Sequence, residues 1–178
     1  SAALDNLFGN LDSYTQSARN YYLYHNLGMD KWQWIKWDGN EAFGSYGFMG
    51  PLNPSNLDIY YFASNRPLLE RVFAIQALKS QYTSEVCLLI STIFNPDYLN
   101  PMIDDLKELI KNDVYADNNK MFSNADFDTN IETDLSGGGG GPGLGGSIEG
   151  LKSFIQERYN YLTTAVDCEP YAGIESVS

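Results

Sequence analysis

Asn20-Tyr21-Tyr22-Leu23-Tyr24, and after a turn Trp32-Gln33-Trp34-Ile35-Lys36-Trp37-Asp38-Gly39-Asn40-Glu41-Ala42-Phe43-Gly44, is the stretch whose reading decides this chain. Tyr21–Tyr24 and Trp32–Trp37 are short aromatic runs joined by the turn-forming Asn26-Leu27-Gly28-Met29-Asp30, and together they predict a β-hairpin. In the second run, alternation sets Trp32 and Trp34 on one side, with Lys36 a candidate for the same side. Gln33, Ile35 and Trp37 fall on the other. Aromatics alternating in strands are most simply core, so the cluster is expected to be buried. Upstream lies a polar loop, Asn10 to Asn20, holding Asp12. Ahead of that, Ala2, Ala3, Leu4, Leu7 and Phe8 have helical spacing and stop at Gly9, which reads as the tail end of a helix.

Downstream, Asp38 to Asn65 has no lasting period and predicts a long ordered loop, a length that is usually functional. Helical signal then dominates. Pro67 suits the first position of a helix running through Leu68, Leu69, Val72, Phe73, Ile75 and Leu78. A second helix is expected over Thr83–Phe94, ending at Asn95-Pro96. A third should start near Pro101, with Met102, Ile103, Leu106, Leu109 and Ile110 on one face. The last should run from about Ser147 to Val166, with Leu151, Phe154, Ile155, Arg158, Leu162 and Val166 in its stripe. Between them lies Gly137 to Gly146. A phosphate-binding loop needs a lysine after its glycines, and none follows until Lys152, so this tract reads as a flexible connector. The fold class is therefore α+β, mostly α: a small hairpin plus a helical bundle, in one region over residues 1–178.

Acidic side chains number 23 against 11 basic ones, a net charge of -12. That balance argues against nucleic acid as a partner, because phosphate binding needs a basic footprint. It also disfavours an anionic membrane surface. No apolar run approaches the roughly 20 residues of a membrane span. Cys87 and Cys168 leave two readings open, a disulfide suited to an oxidising compartment or two buried free thiols. Asn53-Pro54 blocks the one candidate glycosylation sequon, and the chain starts at Ser1, which predicts processing or excision from something longer.

Three constellations invite chemistry. Asp126-x-Asp128-x-Asn130 matches the first half of a calcium loop, but Ile131 and Gly137 stand where glycine and glutamate are needed, so a solvated acidic loop is expected. His25 is the single histidine and has no triad or zinc partners around it. The third is the run from Asp12 to Gly44. Phosphoryl transfer needs an aspartate to orient the acceptor hydroxyl, and an asparagine and a second aspartate to hold magnesium on the nucleotide phosphates. Protein kinases carry these on a loop and hairpin in that order, the second aspartate just before a Phe-Gly pair. Asp12, Asn20 and Asp38-to-Phe43-Gly44 stand in that order here.

These residues resemble the CotH family of spore-coat and cell-surface proteins, which carry an N-Y-Y-L-Y strand and then a W-D-x-[DN]-x-x-F-G element. Asn20–Tyr24 and Trp37–Gly44 match them, Arg66-Pro67-Leu68 opens a helix as in the family, and Gly150–Arg158 continues the likeness. The resemblance implies the C-terminal, C-lobe-like part of an atypical protein-kinase-like fold. It implies transfer of phosphate from ATP to Ser or Thr of partner proteins, with Mg2+. It makes Asp12 the catalytic aspartate, Asn20 a metal-side asparagine and Asp38 the chief metal ligand, with Asn40 and Glu41 lining the same site. It implies two partners, the N-terminal part of the same domain or parent protein and a protein substrate, and an extracellular or surface-associated location. Asp12 and Asn20 are farther apart than the four residues of the ordinary kinase loop, and Asn40 replaces an aspartate common in relatives. A non-catalytic surface adhesion or scaffold module with a kinase-like fold is the alternative. Calcium or sugar binding through the acidic and aromatic loops is a third reading.

Overall fold

The computed structural model describes residues 1–46, 52–136 and 148–169; the Gly137–Gly146 connector lies outside them. Its elements in chain order are α1 (Ala2–Leu7), β1 (Tyr21–Asn26), β2 (Lys31–Lys36), a 3-10 turn (Pro54–Asn56), α2 (Pro67–Ala74), α3 (Gln76–Thr92), α4 (Pro96–Ala116), α5 (Asn124–Glu132) and α6 (Leu151–Ala165). It is mostly helical with one antiparallel hairpin, registered Tyr21 opposite Lys36 and Leu23 opposite Trp34. Among the described residues no helix is long and apolar enough to cross a membrane.

Local chemistry moves several boundaries. The helix expected from Pro67 to Leu78 breaks at Ile75, whose backbone is extended, so α2 and α3 take separate directions. Ile75 is β-branched and half-exposed, and little holds it helical. The Asn95 side chain accepts from Tyr98 N at 2.8 Å and Pro96 follows it, so α4 begins a turn before Pro101 and carries that proline inside.

The expected acidic loop is instead helix α5. Ser123 and Asp126 form a reciprocal capping box, which supplies the two bonds that start it. Its polar residues diverge to separate partners. Asp126 returns to Ser123, Asp128 accepts from Tyr115 and pairs with Lys107 at 3.3 Å, and Asn130 donates to the Ile148 and Glu149 carbonyls.

The hairpin aromatics are the second correction. Tyr22, Tyr24, Trp32 and Trp37 are more than half exposed. A lone two-stranded sheet has no second layer, so only its base is covered. There Tyr21 and Trp34 meet Tyr14 edge-on at 5.0 and 5.2 Å.

The core gathers around α6, which buries Phe154, Ile155 and Leu162 against Leu7 of α1, Val86, Ile90 and Phe94 at α3, and Ile131 of α5. Cys87 and Cys168 are bonded, tying α3 to the segment after α6 across 81 positions. Closing a loop of that length restricts the unfolded chain by about 4 kcal/mol in the entropic account. The remaining core member is a cation. Arg158 is fully buried and donates to the carbonyls of Ser55 (3.3 Å), Leu57 (2.5 Å) and Asn6 (3.4 Å), and to Asn6 Oδ1 (2.7 Å).

Arg158→Met should therefore lower unfolding free energy by at least about 3 kcal/mol, since it strands several buried acceptors at roughly 1–3 kcal/mol each. Arg158→Lys should recover little, because an ammonium cannot span both donor directions. Urea unfolding measures this; a loss under about 1 kcal/mol for the methionine variant would show that the guanidinium bonds are dispensable.

Candidate functional site

α1 ends at Leu7, and Gly9 then takes φ +59. A Cβ at Gly9 would sit 2.8 Å from Phe154 Cζ and 3.3 Å from Gly44 N, so both the conformation and the close approach require glycine. The chain next forms a tight polar turn. Ser13 Oγ donates to the Asn10 carbonyl, and the Ser13 carbonyl receives the amides of Ser17 and Ala18. Ala18 and Asn20 both have positive φ. This turn folds Asn20 back onto Asp12.

The contact between them is double. Asn20 Nδ2 donates to the Asp12 carbonyl at 2.9 Å and to Asp12 Oδ2 at 2.8 Å. With both hydrogens spent, the Asn20 amide has its Oδ1 left as an acceptor, without a donor among the described residues. The Asp12 side chain is 14% exposed, and its Oδ1 is buried with no hydrogen-bond donor among the described residues; exposed Arg19 stands 3.6 Å away.

Asp38 enters through the backbone. Trp37 N donates to the Asn20 carbonyl at 3.0 Å, which seats the start of the W-D-G-N-E-A-F-G element beside Asn20. Asp38 follows with φ +50 and is exposed. A second tie closes the element at its far end, where Phe43 N donates to the Phe8 carbonyl at 2.6 Å. The Phe43 ring packs edge-on against Phe8 and Phe154. Gly44, at φ +78, lies against Glu149, whose Oε2 would be 2.6 Å from a Cβ there. The two loop segments are thus fastened at Asn20–Trp37 and at Phe8–Phe43.

Of the residues singled out from sequence, Asp12 and Asn20 are in direct contact and Asp38 is joined through its neighbour. Asn40 is exposed two residues further on, and Glu41 accepts from Ser45 Oγ at 3.2 Å. Among the described residues no three His, Cys, Asp or Glu side chains converge. Two supporting groups escaped the sequence reading. Asp5, 2% exposed, holds Asn10 Nδ2 at 3.2 Å and pairs with Lys36, fixing the hairpin base to α1. Alternation in β2 put Lys36 beside Trp34, which was the available signal for that inward reach. Glu149 is the other, and only its place just before a helix start marked it.

A family model described as CotH kinase protein matches residues 2–162, from α1 through most of α6. The chain belongs to the CotH kinase family. No curated protein matches it. The CotH span takes in the Asp12–Asn20 turn, the hairpin, the Asp38 element and the α6 residues beneath them, and it ends at Leu162, which is fully buried. Glu149 lies within it, under Gly44. Burial, and then the nearby Asp134 and Glu157 carboxylates, push the Glu149 carboxyl up to about 7.

The folded protein therefore holds this proton more tightly than the unfolded chain. The resulting stability is full below the ordinary carboxyl value of 4.5 and is lost as pH rises through about 7. Glu149→Gln should remove that loss, on the order of 1 kcal/mol after allowing for solvent screening. Melting curves at pH 5 and pH 8 test this. Equal pH dependence in wild type and variant would contradict it.

Proposed function

We propose that this chain carries the catalytic-loop half of a site that transfers the γ-phosphoryl group of ATP to a Ser or Thr hydroxyl of a partner protein. Membership of the CotH kinase family supports a kinase-like protein and ATP use. The observation that carries the finer reading is the double hydrogen bond from Asn20 to Asp12, with Trp37 N bound to the Asn20 carbonyl. It brings the Asp12 carboxylate and the Asn20 amide together and ties the backbone just before Asp38 to them, and carboxylate and amide oxygens are the donor types phosphoryl transfer uses.

Asp12 takes the proton of the acceptor hydroxyl at its carboxylate, which Asn20 fixes through Oδ2; Oδ1 is buried beside Arg19 without a hydrogen-bond donor among the described residues, so the acceptor reaches it only when that cover moves aside. Asn20 Oδ1 and the Asp38 carboxylate are hard oxygen donors, which suits Mg2+, and Asn40 is exposed two residues after Asp38. The cation, when bound, would neutralise charge on the phosphates. Two side-chain oxygens are enough, because magnesium keeps water and takes phosphate oxygens as its other ligands. The elements that cover the nucleotide are assigned to the N-terminal part of the same domain in the parent protein. The Cys87–Cys168 bond supports an extracellular or surface-associated setting. The second reading, a non-catalytic adhesion or scaffold module, is favoured by the exposed aromatics Tyr22, Tyr24, Trp32 and Trp37.

Transfer of labelled phosphate from Mg-ATP by the parent protein separates the two. Asp12→Ala and Asp38→Ala should each lower the rate at least about 100-fold, with melting temperatures close to wild type. Asp38→Ala should also abolish Mn2+ binding by the chain. Unchanged rates in both variants, or no transfer in wild type, would favour the adhesion reading.

A further inference from the structure

The turn between Asp12 and Asn20 spans eight positions without regular structure and includes positive-φ residues at Ala18 and Asn20. Such a backbone persists only when its surroundings hold it. What holds it here is chiefly Arg66, the residue before α2. Its side chain is buried, the residue being 9% exposed. Arg66 Nε donates to the Tyr14 carbonyl at 2.6 Å, and Nη2 donates to the Gln16 carbonyl. Nη1 donates to the carbonyls of Ser64 (2.9 Å) and Asn65 (3.0 Å), anchoring the same guanidinium to the start of α2. The guanidinium carbon also stands 5.9 Å from the Tyr14 ring centre.

Neighbouring bonds repeat the connection. Ala63 N donates to the Thr15 carbonyl at 2.8 Å, Leu68 N donates to Tyr14 Oη at 3.2 Å, and Tyr61 Oη donates to Gln16 Oε1. No carboxylate pairs with Arg66 among the described residues, so its charge is directed at backbone carbonyls alone. A planar fork with fixed donor directions can hold two strands of backbone in one register, which a flexible ammonium cannot.

We propose that Arg66 is a positioning residue of the phosphotransfer site. By clamping the carbonyls of Tyr14 and Gln16 it sets the curvature that returns Asn20 to Asp12, in place of the shorter loop of ordinary kinases. This rests on the phosphotransfer reading for its catalytic consequence, but the clamp itself has a readout that does not.

Arg66→Lys and Arg66→Met are compared with wild type in the parent protein by amide hydrogen exchange and by phosphotransfer kinetics. Exchange over residues 13–20 should quicken roughly tenfold or more while α3 and α6 keep their protection. The turnover number should fall at least about tenfold with KM for the acceptor little changed, because the base is misplaced rather than the acceptor surface. Millimolar methylguanidinium should restore part of the turnover in the methionine variant. Tyr61→Phe, a milder cut to the same turn, should shift exchange and turnover in the same direction by less.

Wild-type exchange and turnover in Arg66→Lys would overturn the proposal, as would protection lost equally across α3 and α6. Loosening confined to residues 13–20 in a protein whose Asp12→Ala and Asp38→Ala variants transfer phosphate normally would sink the phosphotransfer reading and leave the clamp standing.

Discussion

A fully buried guanidinium governs how this chain can fold. Arg158 stands in the middle of α6 among Phe154, Ile155 and Leu162, where a cation costs several kcal/mol unless every donor direction is answered. Nη1 and Nη2 are answered by oxygens of Asn6, Ser55 and Leu57, not by a carboxylate, while Nε is buried without a hydrogen-bond partner among the described residues. Burial draws Arg158 down only to about 10, so it stays charged at neutral pH and the demand is permanent. Because the acceptors are mostly backbone, α1 and the 3-10 turn must lie at fixed heights against α6. One turn earlier, Phe154 then comes to rest beneath Gly9 and Gly44. The core cation and the loop geometry are thus set by the same helix.

Strain in the backbone is concentrated where the loops meet. Ala18, Asn20, Asp38 and Phe43 all have positive φ, a conformation that costs most side chains about 1 kcal/mol or more. All but Asp38 lie next to a bond that compensates for it. Asn20 has its contacts with Asp12 and Trp37, Ala18 the Ser13 carbonyl, and Phe43 the Phe8 carbonyl together with its ring contacts. Asp38 has no such partner within the described residues and is exposed, so its conformation is inherited from Trp37 before it and the turn after it. The most constrained residue of the group is therefore the asparagine, and the aspartate that would meet a cation is the one left free to present itself.

Periodicity made the hairpin, α1 and the α6 stripe legible, because each depends on neighbours close in sequence. The order Asp12, Asn20, Asp38 suggested a chemistry and the CotH motifs a family; the structure puts Asp12 and Asn20 in contact, and the family is CotH. What sequence could not supply was long-range. Asp126 looked like half of a calcium loop because its spacing is right, yet a capping bond to Ser123 makes it a helix start. The hairpin aromatics looked like core because alternation says which side a residue takes and nothing of whether a second layer covers it. The eight-position gap from Asp12 to Asn20 exceeded the four residues of the ordinary kinase loop. Arg66, about 50 residues away in the chain, bonds the backbone inside that gap, and no local pattern could announce it.

The charge balance sets a final condition on the phosphotransfer reading. A chain at net -12 repels a nucleotide triphosphate at long range, and its few basic side chains are not spread to counter this. Lys36 is committed to Asp5 and Arg66 to carbonyls, so among the described residues the basic side chain paired with Asp12, Arg19, is the one that faces solvent, at 64% exposed. A single exposed guanidinium is weak compensation at physiological salt, where screening acts over about 8 Å. Free nucleotide is thus a poor ligand for this surface. On the phosphotransfer reading, the magnesium complex, with much of the phosphate charge already neutralised, is the species that the Asn20 and Asp38 oxygens would attract, so nucleotide and cation binding should be strongly coupled.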